Sequence, residues 1–278
     1  MGNEAGRCAM TRGSGNQRQA GVLAVDVGNT TTRLGVAFGD EIVAAWDATT
    51  PERLTTDEAL VVLRDFFSVR SIDFEVANAI VSSVVPALTD VWVDAVGSLV
   101  RRRPLVVGPG LKTGLRMLFD DPGEVGSDRI ADMVAARSIV EGPVVVVDFG
   151  TTTNFEVIDE RGAFAGGIIA PGLRLSLSAL AEAAARLNMI EIKAPATVIG
   201  RNTRAAMQSG AVLGEIARID GLIDCIWDEL GYSTNIIMSG DDAAALCALS
   251  RHNASVVEDL TLKGLFALER LNRRKRES

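Results

Sequence analysis

The chain has 278 residues, 47% hydrophobic and 23% charged, so it can bury a sizeable core and has length for two ordinary domains. Its formal net charge of -8 disfavours bulk attraction to nucleic acid, and the short clusters Arg101-Arg102-Arg103 and Arg273-Arg274-Lys275-Arg276 read as solvated surface. Apolar runs such as Val144 to Val147 fall far short of the roughly 20 residues of a membrane helix, so no span and no membrane partner are expected.

Residues 1 to 20 carry charge and glycine without the apolar stretch of a signal peptide, and Gly6 stands where a myristoylation motif requires Ser or Thr. The reading is a disordered arm on a cytoplasmic protein. Val22 to Val27 is a strand running into the Gly28 turn, with Arg33 to Ala37 as the returning strand. Thr55 to Val69 has helical spacing, Ala79 to Val85 reads as a strand, Leu88 to Val100 as a helix and Pro104 to Val107 as a strand. Ser127 or Asp128 is a good cap for a helix opening at Ile130. After a domain boundary near Ile139 to Pro143, Val144 to Val147 and Asn154 to Ile158 form a second hairpin. Then follow a strand at Phe164 to Ala170, a helix at Arg174 to Leu187, one or two helices over Thr203 to Leu230, a strand at Asn235 to Met238 and a closing helix at Val257 to Asn272. The domains are thus expected at 21 to 140 and 141 to 278. Cys8, Cys225 and Cys247 have no paired spacing, and the last two read as reduced core residues. His252, the one histidine, lies in a polar stretch and is given no catalytic role.

The two hairpins repeat one pattern. Val25-Asp26-Val27-Gly28-Asn29-Thr30-Thr31 and Val147-Asp148-Phe149-Gly150-Thr151-Thr152-Thr153 each end an apolar strand in Asp-x-Gly-x-Thr-Thr. Such a tip suits phosphate: glycine admits close approach, successive amides form a concave nest, and threonine hydroxyls add donors without charge. The carboxylate cannot bind phosphate itself, but it can hold a metal ion, or water around one, that bridges to the phosphate oxygens. One copy is a weak signal because strand-to-turn junctions favour these residues anyway; two copies, each after an apolar strand, imply two related α/β halves gripping one nucleotide.

That plan resembles the actin-like phosphotransferases, and implies duplicated ribonuclease H-like (actin-like ATPase) domains facing a nucleotide cleft. The stretch Phe119-Asp120-Asp121-Pro122 followed by Glu124-Val125-Gly126-Ser127-Asp128-Arg129 is similar to the substrate segment of type III pantothenate kinases, usually Tyr-Asp-Asn-Pro and Glu-Val-Gly-Ala-Asp-Arg. Ser82-Ser83-Val84-Val85-Pro86, Gly166-Gly167-Ile168-Ile169-Ala170-Pro171-Gly172, Gly200-Arg201-Asn202-Thr203 and Asp259-Leu260-Thr261-Leu262-Lys263-Gly264 extend the resemblance over about residues 21 to 268.

The resemblance implies ATP-dependent phosphorylation of pantothenate, the first step of coenzyme A synthesis, with Asp128 as the general base for the substrate hydroxyl. It implies an ATP site of Asp26, Val27, Gly28, Asn29, Thr30, Thr31, Thr32, Arg33 and Thr151, with Asp26 organising Mg2+ indirectly. It makes Asp148 the ligand of a monovalent cation, K+ or NH4+, and Phe119, Gly126, Ser127, Asp128, Arg129 and Thr203 the substrate site. Thr203 would come from the partner subunit of a homodimer, the site lying at the interface.

Four departures bear on this. Phe119 keeps stacking but loses the tyrosine hydroxyl, Asp121 adds charge near an anionic substrate, and Ser127 replaces alanine. Ser239-Gly240-Asp241-Asp242 stands where Thr-Gly-Gly is usual near adenine, and is expected to narrow the nucleotide pocket or repel phosphate. They leave two alternatives beside the kinase: a non-enzymatic relative binding nucleotide or ligand as a regulator, and another small-molecule kinase or phosphohydrolase on the same fold.

Overall fold

The structure, a computed structural model, describes residues 21–39, 41–73, 75–183 and 191–273. The expected arm at 1–20, Cys8, the end of the helix expected to reach Leu187 and the cluster beyond Arg273 lie outside these.

The first sheet holds β1 (Gly21–Val27), β2 (Thr31–Phe38), β3 (Glu41–Thr49), β4 (Val76–Ser83) and β5 (Leu105–Val106), in the order β3-β2-β1-β4-β5. The second holds β6 (Arg116–Met117), β7 (Val144–Phe149), β8 (Thr152–Ile158), β9 (Ala163–Pro171), β10 (Asn235–Gly240) and β11 (Ser255–Val256), in the order β11-β10-β7-β8-β9-β6. In the first, an antiparallel meander β1-β2-β3 is extended on its β1 side by β4 and β5 in parallel. In the second, β7-β8-β9 with β10 and β11 repeats that arrangement, strand for strand. The duplication seen in two short motifs is therefore a duplication of topology, and the actin-like architecture expected from it is present.

The helices are α1 (Thr56–Val69), α2 (Pro86–Val100), α3 (Ser127–Ile139), α4 (Leu173–Ala183), α5 (Thr203–Gln208), α6 (Gly214–Leu230), α7 (Ala243–Cys247) and α8 (Leu260–Arg273). Central strands are apolar on both faces, as a sheet covered on both sides requires. Leu23, Val25 and Val27 of β1 pack with α1 and α2, while Val22 and Ala24 face α3 and α8. Likewise Val145 and Val147 of β7 pack with α4 and α6, while Val144 and Val146 face α3 and α8. The helices α3 and α8 thus fill the space between the sheets. Strand β6 precedes residue 140 yet pairs with β9, and α8, at the end of the chain, packs on β1 and α3.

Local chemistry accounts for most boundaries. Thr55 and Glu58 form a reciprocal capping box at the start of α1. Gly126 occupies the cap of α3 with no side-chain bond, so neither Ser127 nor Asp128 caps it as expected; the Ser127 hydroxyl is instead engaged with Ser82 and Ser83. The expected helix over Thr203 to Leu230 is α5 and α6 joined by a π-helical turn at Ser209–Leu213. The closing helix starts three residues later than expected, because Ser255–Val256 pairs with β10 and Asp259 has φ 55. Cys225 is exposed, against the expected core placement, while Cys247 is half-buried and packs against the core of the second half. Buried Ile223 and Ile226 face the core from α6, and Cys225 between them is turned outward.

Candidate active site

Loop 1 begins at Asp26. The Gly28 N–H donates to the Thr31 carbonyl at 3.0 Å, and a Cβ on Gly28 would lie 2.9 Å from that oxygen, so only glycine closes this turn without strain. Loop 2 closes one residue tighter, Gly150 N–H to Thr152 carbonyl at 2.9 Å. The two tips meet: Thr30 Oγ1 and Thr151 Oγ1 are 2.9 Å apart. Between the halves lies a cleft of about 660 Å³ lined by Asp26, Gly28, Asn29, Thr30, Thr31, Arg33, Asp128, Asp148 and Thr151 among others. Val27 and Thr32 are buried away from it, and Thr32 Oγ1 bonds to Thr50 Oγ1 at 2.8 Å.

Asp26 and Asp148 occupy matching places in the two sheets. Asp26 pairs in register with Arg33 on the antiparallel side and Ser82 on the parallel side; Asp148 pairs with Asn154 and Ser239. Ser82 Oγ donates to Asp26 Oδ1 at 2.6 Å and lies 2.9 Å from Ser127 Oγ, which accepts the Ser83 N–H at 3.0 Å. Burial nevertheless pushes the Asp26 carboxyl up to about 7, with Asp128 adding to the rise while Ser82 and Arg33 oppose it. Asp148 is raised well above the usual carboxylate range, first by burial and then by Glu156, Asp128, Asp26 and Asp241. Asp132 is raised likewise, by burial and by Asp148 and Glu156. Deeper in, Arg129 offsets this acidic interior: its Nε donates to Glu156 Oε1 at 2.8 Å, with side chains 9% and 0% exposed. Even so, burial holds Glu156 near 7. Among the described residues no three His, Cys, Asp or Glu side chains gather into a metal site of their own.

The cleft mouth is charged on both sides. Arg33 donates to both Asp47 oxygens at 2.7 and 2.8 Å and through Nε and Nη2 to Asp259 Oδ1, so its charge is already shared between two carboxylates. Asp241 and Asp242 line the opposite rim, the latter 2.8 Å from Arg174 Nη2 and the former 3.8 Å from its Nε. The carboxylates that replace the usual glycine are thus partly offset by Arg174. Gly240 has φ 88 and a Cβ there would lie 2.2 Å from the Phe149 carbonyl, so the first glycine of that turn is obligatory.

The remaining expected residues do not line this cleft. Ser127 and Arg129 are each 7% exposed, and the Arg129 guanidinium lies 5.8 Å over the Phe164 ring, on which Phe119 stacks at 5.5 Å and 7°. Gly126 caps α3. Thr203 is exposed at the start of α5, where the cap bond comes from Asn202 to the Ala205 N–H. Ser82, Asp132, Asn154, Glu156, Asp259 and Thr261 carry no role in the sequence reading, although Ser82, Asp259 and Thr261 lie inside the motifs that carry the resemblance. Only strand register and helix rotation bring them to the site.

A family model described as type III pantothenate kinase matches residues 22–225. The chain belongs to the type III pantothenate kinase family. It is 40% identical over 245 residues to the type III pantothenate kinase of Myxococcus xanthus, covering 88% of this chain and 96% of that one. It is also 40% identical over 258 residues to that of Exiguobacterium sp., covering 91% and 100%. Among solved structures, a conserved putative Baf family transcriptional activator from Campylobacter jejuni matches with TM-score 0.56 at 17% identity, covering 91% of this chain and 99% of that one. The activator of 2-hydroxyisocaproyl-CoA dehydratase from Clostridium difficile, with bound ADPNP, matches with TM-score 0.51 at 11% identity, covering 93% and 98%. At these identities the structural matches speak for the fold alone. The matched span includes both Asp-x-Gly loops and the Gly126-Ser127-Asp128-Arg129 stretch.

Proposed function

We propose that this protein transfers the γ-phosphoryl group of magnesium-bound ATP to the primary hydroxyl of pantothenate, giving ADP and 4'-phosphopantothenate at the entry to coenzyme A synthesis. The observation that carries the reading is the convergence of both phosphate-loop tips, Asp26, Asp148 and Asp128 on one cleft, in a chain of this family.

The loop amides and the Thr30 and Thr151 hydroxyls hold the phosphates, and Asp26 orients the water shell of the magnesium. Asp128, at the start of α3, accepts the hydroxyl proton as the alcohol oxygen attacks phosphorus and the bond to ADP breaks. Gly126 to Arg129 and Phe119 shape the substrate side, with Phe119 and Arg129 packed against Phe164.

The residues around Asp148 fit a monovalent cation, K+ or NH4+. Asp148 supplies one negative charge, and its cross-strand neighbour Asn154 has a buried Oδ1 without a hydrogen-bond partner. Such a cation, when bound, would offset the charge of the transferring phosphoryl group. The protein works as a homodimer in which the exposed Thr203 reaches the partner's substrate, in keeping with Val198 and Ile199, 72% and 80% exposed just before it. No helix among the described residues is long and apolar enough to cross a membrane, and a cytoplasmic location accords with a substrate pair found there.

The test is ADP release from ATP with Mg2+ and K+, with and without pantothenate, for the wild type and Asp128→Asn. Turnover should require pantothenate and fall at least about 100-fold in the variant, the scale of a lost general base. Folded wild-type protein that releases no ADP under these conditions would refute the reading.

A further inference from the structure

Asp128 carries the proton transfer in the reading above, yet nothing outside its own helix orients it. Its Oδ1 accepts the backbone N–H of Arg129 at 2.8 Å, and among the described residues no side chain bonds to it. Its position is therefore set by where α3 lies. One turn further on, on the same helical face, stands Asp132, 2% exposed. Its Oδ1 accepts a hydrogen bond from Thr261 Oγ1 at 2.7 Å, across from α8.

The segment Asp259 to Gly264 makes this contact as part of a larger grip. Asp259, a non-glycine residue at φ 55, binds Arg33 of β2. Leu262 fills the space beside Gly35 of the same strand, where a Cβ would lie 2.7 Å from its Cδ1. Gly264 lets α8 touch α3 backbone to backbone, since a Cβ there would come within 1.9 Å of the Ala131 carbonyl oxygen. Thr261 also lines the cleft. A left-handed aspartate, a part-buried hydrogen bond, a leucine seated on Gly35 and one backbone-to-backbone contact, all from the segment Asp259 to Gly264, fix one spacing: that between the strand leaving loop 1 and the helix bearing Asp128.

We infer that Thr261 is a positioning residue for phosphoryl transfer, acting through its bond to Asp132 to hold α3, and with it Asp128, at the correct distance from the phosphates. Loss of the bond lets α3 shift by a fraction of an ångström without disturbing either phosphate loop. The penalty then falls on the chemical step and spares nucleotide binding.

This rests on Asp128 being the base, so Asp128→Asn is measured in parallel. Thr261→Val, close in shape but lacking the donor, should lower kcat by about 10- to 100-fold, the cost of a small misplacement of reacting groups. The KM for pantothenate, and the affinity for a fluorescent ATP analogue measured without turnover, should stay within about twofold, the signature of an interaction felt only in the transition state. Thr261→Ser, which restores the hydroxyl, should return kcat to within about threefold of wild type. Thr261→Ala, which leaves room for a water on Asp132, serves the same purpose if the valine variant does not fold. Unchanged kcat in the valine or alanine variant, a loss that serine does not restore, or a loss confined to KM or nucleotide affinity would each overturn the inference. An active Asp128→Asn would instead remove the base assignment beneath it.

Discussion

The two hairpins that carry Asp26 and Asp148 share a plan and differ in what faces the carboxylate. In the first, the cross-strand neighbour is Arg33 and the parallel neighbour Ser82 donates a 2.6 Å hydrogen bond. In the second, those places hold Asn154 and Ser239; among the described residues, Asp148 has no hydrogen-bond partner and Asn154 Oδ1 is unpaired. A duplicated scaffold has kept an aspartate and a glycine at the end of each strand, and diverged in what faces the carboxylate. One aspartate is held by a serine hydroxyl, and the other is not held by any hydrogen bond among the described residues.

The strongest way to break this contrast is to neutralise each aspartate in turn. Asp26→Asn should lower kcat/KM for magnesium-ATP by about 100-fold or more whatever the potassium concentration, because a charge near the phosphates is lost. Asp148→Asn should remove the response to potassium in rate series balanced with tetramethylammonium chloride. Asn154→Arg, which copies the Arg33 arrangement into the second hairpin, should make the rate indifferent to potassium. Identical behaviour of Asp26→Asn and Asp148→Asn in both titrations would erase the distinction.

Stability offers a second handle. The Asp26 carboxyl rises from its ordinary 3.8 to about 7 on folding, so between those values the native state holds a proton that the unfolded chain has lost. Native protein therefore binds more protons there, and Asp26 makes stability of the ligand-free protein fall as pH rises from about 4 to about 7, with Asp132 and Asp148, raised by burial, acting in the same direction. Glu156, also near 7, adds to the same slope. Asp26→Asn, which keeps an acceptor for Ser82, should raise Tm by a few degrees at pH 8 and leave it unchanged at pH 4. Equal melting shifts at both pH values would show that ionisation of Asp26 does not oppose folding.

The smallest expected effect is at the rim. Arg174 is 61% exposed and offsets Asp241 and Asp242. Arg174→Ala should raise the KM for ATP by about 2- to 5-fold at low salt and progressively less at high salt, with stability changed by under about 0.5 kcal/mol. A salt-independent change would point to a contact other than charge.

Much of this was legible in the sequence because the hairpins are local: strand, glycine turn and returning strand run from Gly21 to Phe38 and again from Val144 to Ile158. From that repeat alone the duplicated sheets and the shared cleft follow. The interior of the site was harder to read. Ser82 reaches Asp26 only because β4 lies beside β1 in one register, and Glu156 meets Arg129 through the rotation of α3 against β8. The sequence places Arg129 after Asp128 without saying that its side chain turns inward to an ion pair. Likewise β11 and α7 are too short to leave a periodic signal, and the outward turn of Cys225 depends on how α6 is rolled.

The placement of α8 has a consequence for synthesis. Leu262, Leu265 and Leu268 complete a core that also contains Val22, Ala24 and Ile80, so the first half of the molecule lacks one of its walls until α8 has been made. The halves look like successive domains, yet the earlier one cannot mature first. Until α8 docks, β1 and β4 stay exposed on one face, and its docking closes both halves together.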